Sequence, residues 1–198
     1  MSVFTEPIRD LLRNRTAVVT GGGRGICAAV ANQLATAGAV VLVSSKTAIH
    51  AQMTVDHLRE AGHIAHATTC DVSKHEEVEA LQTTATSLLG KVDVLVNNAG
   101  VAFSASFLQT SLDDFLQTMA VNTTGTFLCL KAFLPEMLKA GWGRVINIAS
   151  TAGLSAGSYM SAYATSKHAV IGLTRATAAE VASQGVTVNV LCPGYVRT

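Results

Sequence analysis

AVVTGGGRGICAAVANQLATAG, residues 17–38, decides the fold. A short apolar run ends in a cluster of glycines, Gly21-Gly22-Gly23-Arg24-Gly25. Beyond it Ile26, Val30 and Leu34 recur every fourth residue, the period of a helix, until Gly38 supplies a stop. The same alternation continues along the chain. Strand-like runs fall at 17–20, 40–44, 64–69, 92–96, 145–149 and 186–191, each rich in β-branched or small apolar residues. Such runs suit strands covered on both faces. Between them lie helical stretches with readable beginnings: Ser73 with Glu76 predicts a capping box, and Ser111 with Asp114 predicts a second helix start. Strands alternating with helices imply parallel βαβ units joined by right-handed crossovers. The expected fold is α/β, a doubly wound parallel sheet of six strands in a single domain over residues 1–198.

Composition excludes several function classes. Of 198 residues, 49% are hydrophobic and 14% charged, which describes a packed core rather than a disordered chain. The net charge is +1 without a lysine or arginine run, so a nucleic-acid partner has no electrostatic footprint. Cys27, Cys70, Cys129 and Cys192 are scattered with no C-x-x-C pair, as buried thiols in a reducing compartment would be. The first fifteen residues lack the apolar core of a secretory signal and carry Glu6 and Asp10. No apolar stretch is long enough to span a bilayer, so the expected location is cytoplasmic with no membrane partner. His50, His57, His63 and His66 have no convergent Cys or carboxylate set, and no metal site is expected.

In an open parallel sheet, ligands bind beyond the carboxyl ends of the strands. The residues just past the strands are the glycine cluster, Ser45-Lys46, Asp71, Asn97-Asn98-Ala99-Gly100, Ser150 and Pro193-Gly194. Together they describe a polar, glycine-lined edge. The glycine cluster allows close backbone approach, and the helix after it presents free N–H groups to an anion. A tight turn with no ligand is the alternative; Asp71 at the end of the third strand favours a dinucleotide. An acidic residue ending the second strand would bond ribose hydroxyls and repel a 2′-phosphate. Ser45 and Lys46 stand there instead, and Arg24 adds a second cation, so NADP(H) is favoured over NAD(H). Two solvated surface cations are the competing reading.

Tyr163 and Lys167 sit four residues apart in a plausible helix, on one face and one turn apart. Free tyrosine ionises near pH ~10, too high for efficient proton exchange at neutrality. A neighbouring ammonium favours the phenolate. Such a pair is usually an exposed helix pair; Ser150, placed to hold a substrate oxygen near the phenol, makes it informative.

With these residues assembled, the chain resembles the short-chain dehydrogenase/reductases, which have a Rossmann-type fold. The matching segments are TGGGRGI (20–26), CDV (70–72), NNAG (97–100), Asn122 in VNTTG, Ser150 in INIAS, YATSK (163–167) and PGYVRT (193–198). The resemblance implies that Gly21, Arg24, Gly25 and Ile26 line the pyrophosphate and ribose of the cofactor. Asp71 and Val72 would flank the adenine, and Asn98, Ala99 and Gly100 the adenosine side. Tyr163 would exchange a proton with the substrate oxygen, and Lys167 would bond the nicotinamide ribose. Ser150 would orient the carbonyl, and Asn122 would support a water in a proton relay. Pro193, Gly194, Val196 and Thr198 would hold the nicotinamide end. The implied reaction moves a hydride between NADP(H) and a ketone or secondary alcohol, a 3-oxoacyl thioester being the best single substrate. A cofactor-binding protein without turnover and a methyltransferase using the glycine loop for S-adenosylmethionine remain the alternatives.

Two features depart from the family pattern. Cys27 stands where the glycine loop has a third glycine, so it is expected to crowd the turn and weaken cofactor binding, or to be a redox-sensitive thiol at a helix N-terminus. The chain also stops at Thr198, where family members continue with substrate-covering helices and a final strand; a C-terminally truncated fragment is expected. Phe103, Phe107 and Leu108 read either as a pocket wall or as core, and Trp142 as structural. The resemblance further implies a homodimer or higher homo-oligomer packed through helices around 113–140 and 159–182.

Overall fold

The structure, a computed structural model, describes residues 10–23 and 25–196. Six parallel strands form one sheet: β1 (Thr16–Thr20), β2 (Val40–Ser45), β3 (Ala65–Thr69), β4 (Val94–Asn97), β5 (Gly143–Ile148) and β6 (Val186–Leu191). Their order is β3-β2-β1-β4-β5-β6. Helices α1 (Gly25–Thr36) and α2 (Ala48–Glu60) cross between the first three strands, and α3 (His75–Leu89) leads to β4. Then come α4 (Leu112–Met119), a π turn at Ala120–Thr124, α5 (Gly125–Lys139) and α6 (Ser161–Val181). The chain reverses its direction of winding between β1 and β4, and a doubly wound sheet opens a crevice at that point.

Two buried clusters sandwich the sheet. Val18, Leu42, Leu95, Val145 and Val188 point to α3 and α5, against Leu81, Phe133 and Met137. Val19, Val43 and Val96 point the other way, against α1 and α2. Every second residue thus serves one face, and in β1, β2 and β4 apolar residues are needed on both, which is why these strands read as continuous runs.

In α1 the large residues mark the helical period, and the small ones carry the buried face. Cys27, Ala31 and Ala35 are buried against the sheet, while Ile26, Val30 and Leu34 are half-buried on the flank. Small side chains let the helix lie close to β1. The expected stop is present: Gly38 has φ +95°, and the N–H of Ala39 donates to the Leu34 carbonyl at 3.0 Å. The capping box at Ser73 and Glu76 does not form. The Ser73 N–H and hydroxyl both donate to Asp71 Oδ1, at 3.1 and 2.6 Å, closing a turn one residue too early to cap α3. Ser111 does cap α4, its Oγ accepting from the Asp114 N–H at 3.1 Å.

The amino ends of β1 and β4 are joined through Asp93. Its carboxylate accepts from the Thr16 N–H, Arg15 and Lys91, each at 3.0 Å. Burial pushes the Asp93 pKa up, and the Lys91, Thr16 and Arg15 donors outweigh it, so the net shift is downward. The Arg15 and Arg144 guanidinium carbons lie 3.6 and 4.5 Å from the centre of the Trp142 ring, which bears out its structural reading. A folded pKa below the unfolded one stabilises the fold above pH ~4 and loses that contribution as pH falls. Asp93→Asn should therefore lower stability by about 2 kcal/mol at pH 7, with both cations partly solvated. In urea titrations, the gap to the parent should close as the acid range is entered.

Candidate active site

At the carboxyl edge, the loops after β1 and β4 meet across the switch point. Gly21 has φ +68°, and a Cβ built there would lie 2.7 Å from Ala99 Cα, so no other residue fits without moving the backbone. Thr20 Oγ1 accepts from the N–H groups of Asn98 and Ala99, at 3.2 and 3.3 Å. A cavity of about 480 Å³ opens beside this contact, and its walls include Gly21, Ser45, Lys46, Asp71, Val72 and Ala99. Gly25 begins α1 at the same edge.

Lys46 is not a free cation. Its Nζ lies 2.7 Å from Asp71 Oδ2. Burial works to raise the Asp71 pKa, but Lys46 and the two Ser73 donors outweigh it and hold the carboxyl at about 2. The sequence placed these two residues at separate strand ends; the β2–β3 register, with Ser45 opposite Thr69, brings them together.

A second cavity, of about 220 Å³, adjoins the first through Gly100 and Val101. Ile26, Asn98, Ser150, Tyr163, Lys167 and Pro193 are among its walls. Lys167 is only 4% exposed, and its Nζ donates to the Ile148 carbonyl at 2.9 Å. Burial pushes its pKa down to about 8, with Cys192 acting weakly the other way. The same Nζ lies 5.7 Å from the centre of the Tyr163 ring. Ser150 Oγ accepts from the Ala152 N–H at 3.1 Å, which leaves its hydroxyl proton free to donate. A third cavity of about 440 Å³ shares Ser150, Tyr163, Ala102 and Gly194 with the second and opens outward past Ala152, Met160 and Tyr195.

Asn122 is 1% exposed and lines none of these three cavities. Its amide nitrogen donates to the Val101 carbonyl and to Ser166 Oγ, both at 2.9 Å, and its Oδ1 accepts from the Val101 N–H at 2.8 Å. Its side chain therefore holds the loop after β4. Val196 is half exposed and outside the cavity walls. Arg24 and Thr198 lie outside the described residues. Phe107 and Leu108, 77% and 93% exposed, are neither core nor walls of the three cavities.

Cys27 lies beneath the glycine turn, away from the cavities. Its side chain is fully buried, its Sγ directed at the Thr20 carbonyl 3.6 Å away, and it does not line the three cavities. It fills the helix–strand contact without crowding them. Burial pushes its thiol up to about 12, against the lowering expected of a helix N-terminus, so the redox-sensitive reading falls.

A polar row lies one layer below the edge, and Ser44, Asn147 and Thr174 in it have no role in the sequence reading. Ser44, Thr20, Asn97 and Asn147 are in register on adjacent strands. The Asn97 amide donates to Asn147 Oδ1, and the Asn147 amide to Thr174 Oγ1 on α6, each at 2.9 Å. A polar residue at the same depth in successive buried-type strands is the signal that could have found them. Among the described residues, no three His, Cys, Asp or Glu side chains converge as metal ligands, and no helix is long and apolar enough to cross a membrane.

A parallel sheet wound in this order, with a glycine-walled crevice at its switch point and a Tyr–Lys pair beyond it, defines a Rossmann-type α/β protein. Known proteins of similar sequence and shape agree. The family model described as short chain dehydrogenase matches residues 15–198. A D-beta-hydroxybutyrate dehydrogenase of Rhizobium meliloti is 40% identical over 187 residues, covering 93% of this chain and 72% of its own. A 3-oxoacyl-[acyl-carrier-protein] reductase of a Synechocystis species is 39% identical, covering 94% of this chain and 76% of its own. Among solved structures, an NAD+-bound xylitol dehydrogenase superposes with TM-score 0.92 at 33% identity, covering 95% of this chain and 73% of that one. A variant of actinorhodin polyketide ketoreductase with NADPH gives 0.91 at 39% identity, covering 92% and 71%. The chain belongs to the short-chain dehydrogenase family. It is an NAD(P)-dependent oxidoreductase of carbonyl and alcohol groups on small molecules.

Proposed function

We propose that the chain is a single dinucleotide-binding domain that interconverts a ketone and a secondary alcohol with NADP(H), a 3-oxoacyl thioester being the favoured substrate. The observation that carries this is the buried Lys167 ammonium beside Tyr163, in a cavity continuous with the glycine-walled crevice. The thioester rests on the name of the 3-oxoacyl-[acyl-carrier-protein] reductase, and both relatives' names put the reactive oxygen on the β carbon of an acyl chain.

The residues present fit a nicotinamide dinucleotide. At Gly21 a Cβ would fill the space at Ala99; at Gly100 it would come 3.1 Å from Asn122 Oδ1 and 3.5 Å from Lys167 Nζ. Gly21, Gly25 and Ile26 would hold the pyrophosphate, Asp71 and Val72 the adenine end, and Asn98, Ala99 and Gly100 the adenosine side. Lys167 would meet the ribose next to the nicotinamide, and Pro193 and Gly194 the nicotinamide itself. A bound nicotinamide supplies or accepts the hydride at the substrate carbon. In reduction, Tyr163 gives its phenolic proton to the substrate oxygen as the C=O double bond becomes single. Ser150 donates to that oxygen and fixes its direction. Lys167 stabilises the negative charge left on the phenol oxygen, and solvent restores the proton.

Lys46 at the end of β2, with Ser45 beside it, supports NADP(H). It is already paired with Asp71, so a 2′-phosphate adds a second partner to an engaged cation and the preference is modest, about tenfold. Four unpaired thiols support a reducing compartment such as the cytoplasm. A groove between α5 and α6, walled by Phe127, Leu130, Leu134, Leu138 and Leu173, supports a homodimer through these helices.

The full chain should oxidise NADPH with a 3-oxoacyl thioester or a simple ketone, and Tyr163→Phe should cut kcat by about a thousandfold with cofactor binding unchanged. The rate should decline above pH ~8 as the Lys167 ammonium is lost. Tight NADPH binding without turnover would replace this reading with that of a cofactor-binding protein. Lys46→Ala should raise the Kd for NADPH about tenfold and leave that for NADH unchanged; equal shifts would remove the NADP(H) preference. Light scattering should give twice the chain mass, and Leu134→Asp should return it to monomer; a monomeric parent chain would overturn the dimer.

A further inference from the structure

Ser166 is fully buried, between the proposed catalytic pair in sequence and next to Lys167. Its hydroxyl donates to the Tyr163 carbonyl at 2.7 Å and accepts from the Asn122 amide at 2.9 Å. Asn122 holds Val101 by both its N–H and its carbonyl. Thr123 Oγ1 adds a bond to the Ser166 carbonyl at 3.2 Å. Val101 walls both the glycine-lined crevice and the cavity that contains Tyr163. An unbroken run of hydrogen bonds, fully buried at the Asn122–Ser166 link, therefore leads from the first turn of α6, through Ser166 and Asn122, to the wall of the crevice. Among the described residues, Ser166 is the side chain bonded to both the Tyr163 main chain and Asn122.

We propose that Ser166 is a positioning residue: its hydroxyl ties the turn carrying Tyr163 to the loop after β4 and so sets the distance from the phenol to the crevice. This rests on the reading of Tyr163 as proton donor. A serine there for packing alone would have no need of a hydroxyl. The two roles separate because the hydroxyl both gives and receives a hydrogen bond, whereas packing depends on volume. Removing the oxygen unpairs one Asn122 N–H and lets Val101 and the first turn of α6 drift apart, with the rest of α6 still held by Lys167 and Thr174.

The experiment compares Ser166→Ala, Ser166→Thr and Ser166→Cys in the full chain. Alanine should lower kcat at least tenfold while KM for NADPH and ketone moves less than threefold, and should shift the alkaline limb of the pH–rate profile. Threonine keeps the hydroxyl and should recover most of kcat; cysteine, of similar volume but a weak donor, should behave like alanine. Hydrogen exchange read without substrate should speed up over residues 99–102 in the alanine and cysteine variants, because the Val101 N–H loses a fixed acceptor. Parent-like kcat and exchange in the alanine variant would overturn the proposal, as would equal losses in threonine and alanine at parent-like melting temperatures. If the parent chain turns nothing over, the Tyr163 reading fails, and the exchange result still decides whether the tie exists.

Discussion

Strand β1 is held to β4 at both of its ends, and the rest of the molecule is arranged around that pairing. At the amino end the Asp93 carboxylate gathers the Thr16 N–H and two cations. At the carboxyl end Thr20 receives the two N–H groups after Asn97, and Gly21 lies against Ala99 with no room for a side chain. Ladder hydrogen bonds alone would keep the strands adjacent, but they would not fix how the two following loops meet. Because the chain turns to opposite faces after β1 and β4, those loops diverge above the contact and leave a crevice between them. The ligand edge is thus a consequence of which strands are neighbours, and the pinned ends make its shape reproducible.

Charge is distributed accordingly. Lys167 is an ammonium almost wholly buried at the wall of a cavity, held by one carbonyl and pushed down to about 8 by that burial. A group so poorly hydrated gains strongly from any negative charge that develops nearby, which is the physical reason to assign it to the reacting end. Lys46 is the opposite case: well exposed, and with a carboxylate already at 2.7 Å. Its charge is already answered, so a second anion would gain only modestly from it. The thiols divide the same way. Cys27, Cys70 and Cys129 are buried and pushed up to about 12, so they serve as small apolar packing atoms.

Much of this is legible in the residues. The central strands β1, β2 and β4 are readable because each must be apolar on both faces, and a β-branched run bounded by glycine or polar groups suits little besides a buried strand; the edge strands β3 and β6 carry half-buried or exposed polar residues and are readable from their short β-branched or small-residue runs. Tyr163, Lys167 and Ser150 are readable because helical spacing and strand ends are local. What escapes is set by tertiary contact. The period of α1 does not show which side is buried, because close packing on β1 selects the small Cys27, Ala31 and Ala35. Ser73 has the look of a cap, but its own N–H and hydroxyl donate back to Asp71, two residues earlier. The Lys46–Asp71 pair, the Asn97–Asn147–Thr174 chain and the Ser166–Asn122 bond join residues 25 to 50 positions apart, and no local pattern announces them.

The π turn at Ala120–Thr124 has a consequence for how this region can vary. Each residue of an α-helix advances about 100° around the axis, so one extra residue in a turn rephases everything before it relative to everything after. Here the wide turn keeps α5 seated on the sheet while Asn122 faces Val101 and Ser166. Deleting one residue in it would restore a regular helix and rotate α4 and Asn122 by about a quarter turn, with α5 undisturbed. The segment is therefore fixed in length more strictly than in composition. Substitutions on its outer surface leave its geometry intact, whereas a single-residue indel acts like a slipped gear tooth between two shafts.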